Sequence, residues 1–207
     1  MKRIAIAGVA GAVVLFIWSS ISWMLIPWHV MDKLPGEEGV RQTLKLTQAE
    51  RGVYWIPGED HSIDKSALTG AQNDAMTDAW KKAHRDGPIA MVVYDPDGSS
   101  PLGIMTFITG FILDVLVATA AAVLLMLAAP ALPGLHGRVI FVVLLGVYTA
   151  IGTHLMNWNW MNYPLKFSLE MAGDTLLASV LLGLTLGVLV RPGMGDGDDI
   201  EYETQAG

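Results

Sequence analysis

The sequence predicts an α-helical membrane protein: a four-helix transmembrane bundle with a small α/β extracytoplasmic cap between spans one and two. Three observations carry that reading. Just over half of the 207 residues are hydrophobic and only 16% are charged, well below the roughly 25% charged residues of soluble domains. The apolar residues gather in four runs, about 4–26, 102–129, 139–157 and 165–190. Each run approaches or exceeds the roughly 20 residues a helix needs to cross about 30 Å of hydrocarbon. Between the first two runs lies a polar stretch with helical and strand-like patterns in alternation, enough to fold. The organisation expected is a first transmembrane helix at 1–27, the cap at 28–101, three transmembrane helices at 102–191, and an acidic, disordered tail at 192–207.

The first run follows Met1-Lys2-Arg3 as a secretory signal would, but it extends from Ile4 to Ile26. That exceeds the 7–15 apolar residues of a signal core, and no A-x-A cleavage site follows, so it reads as a retained span. Orientation follows the basic residues near the span ends. Lys2, Arg3, Arg138 and Arg191 fall on one side and only Lys166 on the other. Both termini are therefore expected in the cytoplasm, with the cap on the periplasmic or extracytoplasmic side. Trp23, Trp28, Trp158, Trp160 and Tyr163 gather at the outer ends of spans one and three, the place where amphipathic rings anchor at the interface.

Within the cap, Glu37 to Leu46 reads as a short amphipathic helix with Val40, Leu44 and Leu46 on one side. Val53-Tyr54-Trp55-Ile56 is β-prone and Pro57 stops it. Thr69 suits the N-cap of a helix reaching about Arg85, which Gly87-Pro88 ends. Ile89 to Tyr94 is a second β-prone run, closed by Asp95-Pro96-Asp97-Gly98. Two paired strands with helices over one face are expected. At this size, with few large apolar side chains, the cap needs support from the membrane helices or a partner.

Composition excludes several functions. Cysteine is absent, which removes disulfides, thiolate metal sites and thiol catalysis. The net charge of −7 argues against nucleic acid, which rewards basic surfaces. Walker loops, G-x-S-x-G and the dinucleotide fingerprint are missing, so nothing supports nucleotide or acyl chemistry.

What chemistry there is lies within the spans. Asp114, His154 and Asp174 interrupt three apolar runs, and an ionisable group in hydrocarbon calls for a partner, a cavity or a task. Counting about 1.5 Å per residue from the span ends puts them roughly 5–7 Å below the outer surface, at one level. Glu170 stands four residues before Asp174, Asn157 lies just above His154, and His29 follows Pro27 at headgroup height. Together they form a candidate outward-facing polar pocket. The residue types suit a divalent metal held by His154, Asp114 and Asp174, with His29 or Glu170 in support. They equally suit a proton-responsive site, bis-histidine haem ligation by His29 and His154, or interhelical hydrogen bonding without further function. The cofactor stays open. Gly183 and Gly187 fit small-residue helix packing, as does Gly8-Val9-Ala10-Gly11.

Two segments, Trp23-Met24-Leu25-Ile26-Pro27-Trp28-His29 and His154-Leu155-Met156-Asn157-Trp158-Asn159-Trp160, resemble the ends of spans one and three in a group of uncharacterised bacterial four-helix inner-membrane proteins. The resemblance covers nearly the whole chain. It implies one span, an outer segment and three spans, and brings no activity, cofactor or catalytic residue. The function expected is that of a non-enzymatic membrane subunit or accessory protein contacting another membrane or periplasmic component. The alternative is a metal- or proton-linked transporter or sensor. Partners expected are the lipid bilayer and another membrane protein or a second copy of the chain.

Overall fold

The structure, a computed structural model, describes residues 2–29 and 31–193. The acidic stretch from Asp196 to Glu203 lies outside them. The described residues divide into two compact units, Asp32–Pro101 and the helices on either side of it.

The helical unit contains four helices long and apolar enough to cross a membrane: Lys2–Met24, Ile104–Ala131, Leu135–Trp160 and Leu165–Leu189. The first is α1 (Lys2–Met24). The second is α4 (Ile104–Ala128), tightened at its end into a single turn that contains Pro130. The third begins as α5 (Leu135–Thr149), passes through a π-helical turn at Ala150–Leu155 and ends as α6 (Met156–Trp160). The fourth is α7 (Leu165–Leu189), which starts after Pro164. The third helix is longer at both ends than the expected 139–157. Gly134 takes the N-cap position, so His136 and Gly137 fall in the first turn, and the π turn widens the helix without breaking it.

Helix α1 packs against α4 and α7, α5 packs against α7, and α4 meets α5 and α7 only sparsely. Small residues allow the close contacts. Ala12, Ala118 and Ala122 are fully buried beside Leu125 and Leu186, and Gly8 meets Thr119. A Cβ on Gly183 would stand 3.2 Å from the Val139 carbonyl oxygen, and one on Gly187 would stand 2.9 Å from Leu135 Cδ1. Backbones that approach this closely gain van der Waals contact, the main attraction between helices in an apolar solvent.

The second unit holds α2 (Glu37–Leu46), β1 (Gly52–Ile56), α3 (Gly70–Asp86) and β2 (Ala90–Tyr94). The strands pair antiparallel, with Gly52 opposite Tyr94 and Ile56 opposite Ala90. Thr69 and Gln72 form a reciprocal capping box that starts α3, satisfying amides the first turn leaves open. Gly87, at φ 63°, ends it. The Trp55 indole donates to His84 Nε2 at 3.1 Å, holding β1 to α3. No side chain in this unit is fully buried. Val53 and Val93 face each other across the strands yet are 67% and 75% exposed. The apolar side of α2 is also uncovered, with Val40 and Leu46 exposed.

Candidate functional site

Trp18 and Ser22 are four residues apart on α1 and so share a helix face. Both point at Asp174 on α7: the Trp18 indole donates to Oδ1 at 2.8 Å and the Ser22 hydroxyl to the same oxygen at 2.7 Å. Beyond α1 the chain turns back on itself at Pro27, where the Trp28 amide donates to the Ile26 carbonyl at 2.9 Å. That turn carries the Trp28 indole to Ser22, donating to its Oγ at 3.1 Å and its carbonyl at 3.2 Å. It also delivers His29, whose Nε2 lies 3.1 Å from Ser22 Oγ and 3.6 Å from Asp174 Oδ2.

The hydrogen bonds settle the proton on His29. The one Ser22 proton goes to Asp174, so Ser22 Oγ can only accept from His29, and Nε2 must carry the hydrogen. Nδ1 is buried without a partner among the described residues. The ring stacks on Trp23 with centroids 4.4 Å apart and leans on Trp28 at 5.3 Å. Serine, histidine and aspartate meet here without forming a hydrolytic triad. In a triad the acid accepts a hydrogen bond from the imidazole nitrogen opposite the serine, whereas here serine and acid lie beside one ring nitrogen. Ser22 is also completely buried.

Asp174 has a second side. It lines a cavity of about 280 Å³ among α1, α4, α5 and α7, together with Asp114, Trp18, Ser19, Thr149 and Ser179. Among the described residues nothing donates a hydrogen bond to the Asp114 carboxylate. Asp114 and Ser19 also line a neighbouring cavity of about 360 Å³ between α1 and α4, toward Met24 and Thr106.

His154 sits in the π turn and its Nε2 pairs with Thr175 Oγ1 at 2.9 Å. Single π turns often mark functional positions because the extra residue redirects a side chain. The polar groups are therefore distributed differently from the sequence expectation. Asp114 and Asp174 face one cavity, but His154 bonds the neighbour of Asp174 rather than either acid. His29, expected at headgroup height, reaches Asp174 because the chain doubles back at Pro27. Glu170 pairs with Lys166 at 3.8 Å. Asn157 accepts the Met161 and Tyr163 amides through its backbone carbonyl and helps close α6.

Of the residues offered for a metal, His154 pairs with Thr175 and Asp174 with Trp18 and Ser22. Among the described residues no three His, Asp or Glu side chains come together as a metal set. The aromatic residues also divide. Trp160 is 71% exposed and Trp158 45%, and Tyr163 rests edge-on against Phe167. Trp28 turns inward and belongs to the Asp174 network. Trp18, Ser22 and Thr175 escaped the sequence reading. The signal available for the first two was the spacing of an indole and a hydroxyl on one face of an apolar helix.

Comparisons with protein-family models, curated proteins and solved structures find no match.

Proposed function

We propose that this chain is a multi-pass protein of the bacterial inner membrane that acts as a non-enzymatic subunit or accessory protein. In this reading both termini are cytoplasmic, and the Asp32–Pro101 cap binds another membrane or periplasmic protein. The observation that carries it is the cap's lack of any fully buried side chain, combined with the exposed Val53–Val93 pair and the bare apolar side of α2. A unit this small buries too little surface to be robust alone, and exposed apolar strand faces ask for a cover. The basic residues support the orientation. Arg3 and Arg191 line a common recess where α1 begins and α7 ends, and Arg138 sits in the first turns of α5. The resemblance to bacterial one-plus-three proteins points to the same envelope location.

Purification in mild detergent from native membranes tests this. A stoichiometric companion is expected, and its recovery should fall with Val53→Glu or Val93→Glu. A solitary monomer at every concentration overturns the reading.

One observation favours a second reading, a proton-responsive site. His29 Nε2 lies 3.6 Å from Asp174 Oδ2, so protonating the ring at Nδ1 would create an ion pair in the same geometry. Trp23 and Trp28 pack on the ring and report on its charge, because imidazolium quenches indole emission. A fluorescence titration that vanishes in His29→Gln is expected. An identical titration in wild type and variant overturns this reading.

A further inference from the structure

We propose that the cavity shared by Asp114 and Asp174 is a binding chamber for a small organic cation, a protonated amine on a compact apolar body. The polar groups of its wall decide the sign of the ligand. Two carboxylates line it and no lysine or arginine does. Of the four hydroxyls in the wall, three have already spent their protons on backbone carbonyls one turn back, and the fourth, Thr175, is paired with His154 Nε2. Ser19 donates to Phe16, Thr149 to Leu145 and Ser179 to Thr175, at 3.1, 3.0 and 2.7 Å. What those three present to the cavity is therefore lone pairs, so with the two carboxylates acceptors dominate the polar part of this wall. An ammonium, which has donors and no acceptor, complements it, and a carboxylate or phosphate would be repelled.

The two acids differ in a way that suits such a ligand. Asp174 is held by Trp18 and Ser22, whereas the Asp114 carboxylate accepts nothing from any of the described residues. Asp114 is thus the open position and Asp174 the fixed one. Trp18 contributes an indole to the same wall, and an indole face attracts cations. Leu15, Val142, Leu145 and Leu182 supply the apolar wall. The volume, about 280 Å³, is near the low end of the roughly 300–1,000 Å³ of ligand pockets. A metal ion fits poorly, since no ligating trio is present among the described residues. The neighbouring cavity, which also touches Ser19 and Asp114, gives an amphiphilic amine a way in between α1 and α4.

The test uses the full chain in lipid nanodiscs, titrated with benzylamine and with benzyl alcohol, its uncharged counterpart, followed by calorimetry and indole fluorescence. Saturable benzylamine binding is expected, with benzyl alcohol about tenfold weaker or worse. Asp114→Asn should weaken benzylamine by about tenfold or more while leaving benzyl alcohol unchanged. Thr149→Val, which removes one acceptor and keeps the shape, should cost a smaller factor and stands in if the Asp114 variant fails to fold. No saturable binding, equal binding of the two probes, or unchanged benzylamine affinity in a folded Asp114→Asn or Thr149→Val protein each overturns the proposal.

Discussion

Trp18 and Asp174 are 156 residues apart in the chain and joined by a 2.8 Å hydrogen bond from the indole N–H to a carboxylate oxygen. The bond ties α1 to α7. Both groups are part-buried and line the same cavity. Interhelical polar pairs in membrane proteins average about 0.6 kcal/mol and reach about 1.7 kcal/mol in double-mutant cycles. A Trp18→Phe, Asp174→Asn cycle should return a coupling near the upper part of that range, about 1–1.7 kcal/mol. Reversible unfolding in mixed micelles measures it. A coupling indistinguishable from zero would show that the bond adds nothing to helix association.

His29 adds a second tie between α1 and α7, this time through the turn that follows Pro27. Its ring fills the space between Trp23 and Trp28 while Nε2 serves Ser22. Packing and hydrogen bonding can be separated. His29→Phe keeps an aromatic ring and loses the donor, and should cost about 1 kcal/mol. His29→Ala loses both and should cost about 2–3 kcal/mol. The alanine variant should also free Trp28, seen as a red shift and faster depolarisation of tryptophan emission. Equal losses for the two variants would mean the hydrogen bond alone matters and the ring's volume adds nothing.

The four long apolar helices were legible because their length and composition leave few alternatives, and Thr69 with Gln72 announced α3 through a local capping pattern. The Asp174 network was only half legible. Helical counting assigns a residue a height along its helix, and the two acids it set at one height, Asp114 and Asp174, line one cavity. It gives no azimuth around the helix axis, so the partner of each acid could not be named. His29 was misplaced because counting assumes the chain keeps rising past Pro27, whereas hydrogen bonding to Ser22 draws it back down. The π turn at His154 was hidden for a similar reason, since one extra residue in a helical turn leaves no mark in hydropathy.

Charge and pH meet in the loop before α3. Asp60 and Asp64 accept from Ser62 and Ser66, through hydroxyl and amide alike. These hydrogen bonds, the hydroxyl's foremost, hold both carboxyls below the usual aspartate range. Because the folded pKa is depressed, the stabilisation is present above the unfolded value of about 3.9 and is lost as pH falls through the folded one. Amide protection of Ser62 and Ser66 should therefore hold from about pH 6 to about pH 4 and decline below that. Asp64→Asn keeps an acceptor that does not titrate, so Ser66 protection in that variant should no longer follow pH. Hydrogen exchange on the full chain reads both, and an unchanged acid dependence at Ser66 in the variant would remove Asp64 as its cause.

Where α5 crosses α7, two glycines four residues apart meet different kinds of atom. At Gly183 an added methyl would press on the Val139 carbonyl oxygen at 3.2 Å, which belongs to a helix backbone and cannot swing aside. At Gly187 it would meet the Leu135 Cδ1 at 2.9 Å, the far end of a side chain with other rotamers, although Val139 Cγ2 follows at 3.3 Å. The nearer contact should therefore be the cheaper one. Gly183→Ala is expected to cost about 1–3 kcal/mol through helix displacement, and Gly187→Ala less than about 1 kcal/mol. Gly173 on the same helix has nothing within 4 Å of the added atom. Gly173→Ala should be neutral or stabilise by up to about 1 kcal/mol through helix propensity. Ranking the three by unfolding in detergent checks the argument, because a mechanism based on distance alone puts Gly187 first, and one based on propensity makes all three gains.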